Sequence, residues 1–138
     1  MIDFSSGFPH TAASRLLGEH IVWLTTVDSA GAPQPRPVWF HFDGAVVLVF
    51  SQPWAGKVRH IRLHPAVSVH LNSDFKANRA TVFLGEARIL DDWPAGPRLD
   101  EYIEKYRQGI QDIGFTPESF LAEYSTAIEV ALTQARGI

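Results

Sequence analysis

The residues whose types and spacing suit chemistry best lie between Pro35 and Arg62. Ser51 ends an apolar run, Lys57 opens a predicted helix shortly after it, and Arg36, Arg59 and Arg62 add positive charge nearby. Backbone N–H groups at a helix start, a hydroxyl and an ammonium can converge on one phosphate, because the helix dipole and the unpaired donors both favour an anion there. The same residues also describe a solvated basic helix, which is the plainer alternative for a short lysine-led pattern.

Other candidates are weaker. His60 and His64 are four apart and would share a helix face, but no glutamate lies between them as in a zinc protease. His64 reads instead as a helix-end cap, and His41 and His70 as barrel or interface side chains. No G-x-S-x-G, phosphate-binding Walker loop or dinucleotide glycine fingerprint is present, and no cysteine exists to serve as nucleophile or ligand. Asp91 with Asp92 falls in a turn, and Glu101 with Glu104 on a polar helix face, so both pairs read as solvated acids. Of the four tryptophans, Trp54 sits in the loop before Lys57. There it serves either as an aromatic cover for a flat heterocycle or as a loop anchor. No side chain is assigned a catalytic role and no metal site is expected.

The elements that must position these residues follow from periodicity. Ala13, Leu16 and Leu17 predict a helix over 10–19 with Thr11 as its N-cap. Ile21–Val27 reads as a strand ending in the turn residues 28–31, and Gln34–Phe42 as its return, with Pro35 and Pro37 removing two amide donors from one side. Asp43 and Gly44 form the strongest hairpin signal, followed by the apolar strand Ala45–Ser51, so that three strands run as a meander. Lys57–Leu63 is a short helix stopped by Pro65. Val67–Leu71 alternates as a strand, and Thr81–Leu90 is another with Gly85 as a bulge or bend. Leu99, Tyr102, Ile103, Tyr106, Ile110 and Ile113 repeat at helical spacing. Thr116 and Pro117 open a last short helix ending near Tyr124, and Ala127–Thr133 is the final strand. Six strands with short turns imply a mainly β fold with helices, closed or nearly closed as an antiparallel barrel.

At 138 residues the chain is expected to form one domain, 1–138. A net charge of -3 without a Lys/Arg cluster argues against nucleic acid as a partner. The absence of a signal-like start and of a long apolar segment argues against a membrane partner and for a cytoplasmic protein.

The run Pro35, Arg36, Pro37, Val38, Trp39, Phe40, then Asp43 and Gly44, then Phe50, Ser51, Gln52, Pro53, Lys57, Arg59, Ile61, Arg62 and Pro65 resembles the pyridoxamine 5'-phosphate oxidase-like split barrels. It is most similar to the branch of probable coenzyme F420-dependent enzymes, and Tyr102, Lys105, Tyr106, Gly109, Ile113, Gly114, Thr116, Pro117, Phe120 and Tyr124 extend the resemblance toward the C-terminus. The resemblance implies a homodimeric six-stranded split barrel binding a flavin-type cofactor, F420 or alternatively FMN, at the subunit interface. It also implies hydride transfer to a small-molecule substrate. A non-catalytic cofactor-binding module is the alternative in a different class. The resemblance further implies that the strand through Arg36, Pro37, Val38 and Trp39 lies along the tricyclic ring, near Phe50. Ser51 and Lys57 would hold the phosphate, with Trp54 and His60 beside them, and Arg79 and Thr81 would approach from the partner subunit. Two departures stand out. His60 occupies the position where the family usually has asparagine, and Ala80 the position where the oxidase branch has glutamine, which argues against vitamin B6 oxidation.

Overall fold

The computed structural model describes residues 2–76 and 80–137. Turn chemistry sets where the first strands stop. Val22–Val27 (β1) alternates buried and half-buried residues and runs into Asp28. The carboxylate of Asp28 accepts from the N–H groups of Ala30 and Ala32 at 2.9 Å each, while Gly31 turns at φ +83°. Asp43 repeats the device at the next reversal, accepting from Ala45 and Val46.

Pro33–Val38 (β2) pairs with β1, placing Pro33, Pro35 and Pro37 opposite Val27, Thr25 and Trp23. Amides of alternate residues point the same way, so the ladder to β1 draws its donors from Gln34, Arg36 and Val38. The three prolines face the free edge, where no donor is needed.

The predicted strand Gln34–Phe42 is in fact two. It stops at Val38 and resumes as His41–Phe42 (β3), which pairs with Val46–Ser51 (β4) rather than with β1. The reason lies in the long helix Pro97–Asp112 (α3). The Tyr106 hydroxyl accepts from the Phe40 N–H at 2.9 Å and lies 2.7 and 3.1 Å from the His20 and Phe40 carbonyl oxygens. Lys105 Nζ donates to the Phe40 carbonyl at 3.2 Å. Side chains of α3 thus satisfy backbone groups that a continuous strand would have paired.

The strands Ala66–Leu71 (β5), Thr81–Ile89 (β6) and Thr126–Gly137 (β7) complete a seven-stranded antiparallel sheet of order β2-β1-β5-β6-β7-β4-β3. The count of six is therefore corrected to seven, and the expected meander is interrupted. The sheet curls into an open half-barrel whose edges, β2 and β3, are joined through Trp39 and Phe40 without pairing. β7 runs past the expected Thr133 because β6 continues to pair with it as far as Thr81 opposite Gly137. The register shifts beside Gly85, where a Cβ would lie 2.6 Å from the Ala131 carbonyl oxygen; Leu84 faces Gln134 and Gly85 faces Leu132, so the residue left over, Thr133, bulges from β7.

The first helix, Gly7–Gly18 (α1), starts before the predicted position 10 because Pro9 fits a first turn, where no amide donor is required. Thr11 lies inside it, its hydroxyl 3.5 Å from the Gly7 carbonyl, and is not the N-cap. Gly56–Leu63 (α2) leads into His64, whose N–H closes the helix on the His60 carbonyl. Pro117–Glu123 (α4) opens with a reciprocal Thr116–Ser119 capping box.

Two cores result. Leu16, Leu24, Phe40, Val49, Phe83, Ile128 and Val130 fill the curl of the sheet. Leu48, Phe50, Tyr102, Tyr106, Ile110, Phe120 and Ala127 form a second core on the outer face, under α3 and α4. β4 contributes to both, which is why its sequence is apolar throughout rather than alternating. Among the described residues no helix is long and apolar enough to cross a membrane.

Candidate functional site

Where β2 and β4 part, α3 and α4 lie across the gap and leave a cavity of about 200 Å³. Pro37, Val38 and Trp39 form one wall, Phe50 and Lys57 a second, and Tyr102, Ile113, Phe120 and Tyr124 the third. Trp39 is held flat. Its ring stacks on Tyr106 with centroids 4.7 Å apart and planes 5° from parallel, and on Phe120 at 5.6 Å. The glycine inside α3 has a local cause, since a Cβ at Gly109 would come within 3.1 Å of the Trp39 ring. Phe50 meets Tyr102 edge-on at 4.6 Å, and Phe120 stacks on Tyr124 at 4.5 Å. These contacts give the cavity firmly packed aromatic sides.

Charge gathers at the α2 end. Lys57, in the first turn, is half-buried, and its ammonium makes no hydrogen bond or ion pair among the described residues. Burial first, and the Arg36 guanidinium second, push its pKa below the ordinary lysine value. Arg36 is exposed and donates only to its neighbour, the Pro35 carbonyl, at 2.7 Å. Arg59 donates to the Trp54 carbonyl at 2.9 Å. None of the three has a carboxylate partner among the described residues. An anion bound beside Lys57 would favour its charged form by attraction, opposing both causes of the lowered pKa, so this end can accept a phosphate or carboxylate.

Of the residues singled out in the sequence, the cavity brings together Pro37, Val38, Trp39, Phe50 and Lys57. Arg36 stands beside them through its influence on Lys57. Ser51 is 1% exposed and gives its hydroxyl to the Gln52 carbonyl at 3.0 Å. Trp54 is 62% exposed and does not line the cavity. His60 turns away, its Nδ1 2.9 Å from the buried Thr26 hydroxyl. Thr81 is buried at the start of β6, where Arg15 donates to its hydroxyl at 3.1 Å, apart from the cavity. Arg79 lies outside the described residues.

The other histidines are structural in their contacts. His70 stacks parallel on Trp23, and buried His41 meets the otherwise exposed Glu101 carboxylate at 2.6 Å. Glu101 therefore has one ordered partner, unlike a purely solvated acid. Tyr102, Phe120 and Tyr124 also line the cavity; they were part of the family resemblance but were given no site role. Their signal was aromatic spacing of four, Tyr102 with Tyr106 and Phe120 with Tyr124, which marks one face of each helical segment.

Residues 8–138 match the family model described as pyridoxamine 5'-phosphate oxidase. No curated protein matches the chain. Among solved structures it is similar to an F420 reductase at 25% identity, with a TM-score of 0.68 over 89% of this chain and 94% of that one. It is also similar to a FAD-binding protein from Mesorhizobium loti, at 14% identity and TM-score 0.68, covering 91% and 88% of the two chains. The haem storage protein HutZ from Vibrio cholerae aligns at 15% identity and TM-score 0.64, covering 92% of each. The last two show a shared fold alone.

Proposed function

The chain belongs to the pyridoxamine 5'-phosphate oxidase family, and from that premise we propose that it is an F420-dependent oxidoreductase acting on a small organic acceptor. The observation that carries this reading is Lys57, an unpaired, half-buried ammonium at the rim of an aromatic-sided cavity. A planar tricyclic ring bearing a phosphate has the two chemistries that such a site lacks. The similarity to an F420 reductase favours the deazaflavin among such cofactors. When bound, the cofactor supplies the hydride-transfer chemistry, and the protein's part is to bind and orient it.

In this reading Lys57 and Arg36 hold the phosphate, and Ser51 joins them by turning its hydroxyl from the Gln52 carbonyl. Pro37, Val38 and Trp39 take one face of the ring, with Phe50 at its side, while Trp54 borders the phosphate and His60 stays on Thr26. A second copy of the chain completes the site in this reading. Ala80, in place of the oxidase branch's glutamine, argues against a vitamin B6 substrate.

Titration of the purified apo-protein with F420 and, separately, with FMN tests the reading by fluorescence. Tight F420 binding with weak FMN binding supports it. The reverse preference assigns the protein to FMN, and binding of neither overturns it. Oxidation of reduced cofactor by an acceptor panel separates an enzyme from a cofactor-holding module. A monomer in sedimentation would overturn the two-subunit site.

A further inference from the structure

Tyr102 is 1% exposed, and what it reaches is the cavity that it lines. Its ring is fixed between Phe50 and Tyr106, with centroid separations of 4.6 and 5.0 Å. Its hydroxyl makes no hydrogen bond among the described residues and is not one of the fully enclosed unpartnered atoms, so it opens toward the cavity. This contrasts with its neighbour one helical turn on, Tyr106, whose hydroxyl meets three backbone groups. A buried phenol ordinarily finds a partner, because leaving its O–H unsatisfied costs free energy. Water in the cavity can complete Tyr102, and a ligand that displaces that water must offer a partner in its place.

The surroundings define the chemistry of that partner. The cavity is flanked by aromatic side chains, which favour a planar ring. Burial raises the Tyr102 pKa well above the ordinary tyrosine value, with the Tyr106 and Tyr124 phenols adding to the effect. The hydroxyl stays protonated at any physiological pH and serves as a donor, so its partner supplies an acceptor. Lys57 takes the ionic part of a ligand at the rim, which leaves a neutral acceptor for Tyr102. A ring carbonyl oxygen meets all of these requirements.

Resting on the cofactor reading for the identity of the ring, we propose that Tyr102 is a binding residue whose phenolic hydroxyl donates a hydrogen bond to a carbonyl oxygen on the edge of a planar heterocycle seated in the cavity. This gives the α3–α4 segment a direct part in recognition in addition to its packing role.

Lumiflavin, a carbonyl-bearing tricycle without phosphate, isolates this contact from the Lys57 end. Its affinity for wild type and for Tyr102→Phe is measured by tryptophan quenching, with F420 and FMN titrated in parallel. Phenylalanine keeps the ring that packs on Phe50, and circular dichroism checks that the variant is folded. We expect the variant to bind lumiflavin roughly 3- to 10-fold more weakly, the loss of one neutral hydrogen bond. A Raman measurement on wild type alone needs no variant, and there the carbonyl stretch of bound lumiflavin should fall below its value in an aprotic solvent. Equal affinities with an unshifted stretch, or no lumiflavin binding to wild type, would overturn the assignment. Tyr102-dependent lumiflavin binding without binding of F420 or FMN would sustain the Tyr102 role while removing the cofactor reading.

Discussion

At the α2 end of the cavity, Lys57, Arg36 and Arg59 gather positive charge with no paired carboxylate among the described residues. At the α3–α4 end, Trp39, Tyr106, Phe120 and Tyr124 stack with ring centroids 4.5 to 5.6 Å apart. The first arrangement carries an unrelieved cost, visible in the lowered pKa of Lys57. The second is packed as a core is packed, with Phe120 2% exposed. One wall of the site is thus held in readiness for a ligand, while the opposite wall supports the fold. Substitutions at the two ends should separate stability from binding.

The largest effect should come from Phe120→Ala, which removes the ring between Trp39 and Tyr124. We expect a loss of about 3–5 kcal/mol in denaturant unfolding. A loss under about 1 kcal/mol would show that the aromatic wall does not carry the stability assigned to it. Lys57→Ala should behave in the opposite way, lowering affinity for a phosphate-bearing cofactor by roughly 10- to 100-fold, the worth of a charge-assisted hydrogen bond. Its unfolding free energy should stay within about 0.5 kcal/mol of wild type. Unchanged affinity would remove Lys57 from the site. Tyr106→Phe lies between the two kinds. It keeps the stacking ring but strands the Phe40 N–H and should cost about 1–3 kcal/mol of stability, read from the same unfolding curves.

The smallest effect is a pH profile. Burial lowers the Lys105 pKa from 10.5 to about 8, and Lys57 shifts in the same direction. Between those values the unfolded chain binds more protons than the folded one, so stability should rise as pH rises from 8 toward 10.5. Tyr102 and Tyr106 are raised above the ordinary value of 10.0, so above that pH the unfolded chain loses protons first and stability should fall. Urea midpoints across this range should therefore pass through a maximum. Lys105→Met should flatten the rising limb, and bound phosphate-bearing ligand should flatten the part due to Lys57. A profile that only falls would contradict the burial of both lysines.

The two ends also differed in legibility. The Lys57 end is a local sequence feature, readable because Ser51, the loop and the helix start are consecutive. The hairpin at Asp43–Gly44, the irregularity beside Gly85 and the Thr116–Pro117 helix start were readable for the same reason, since each is decided within a few residues. The break at Trp39–Phe40 was not. It depends on Tyr106 and Lys105, more than sixty positions away, and nothing in the run Gln34–Phe42 itself stops a strand. Trp54 illustrates the converse error, because proximity in sequence to Lys57 did not place its ring in the cavity. Tyr102, Phe120 and Tyr124 were legible as helical residues, but their meeting with Trp39 and Phe50 is a property of the assembled sheet.

The position of β7 has a consequence for how the protein is made. In the sheet, β7 lies between β6 and β4, yet it is the last strand in the chain. A growing polypeptide can pair β1 with β2 and β5 with β6 early, and β3 with β4 separately. Those two halves have no common neighbour until Thr126–Gly137 leaves the ribosome. Until then the two parts of the sheet wait on a single closing step. β7 is thus the joint that unites two separately formed parts of one sheet.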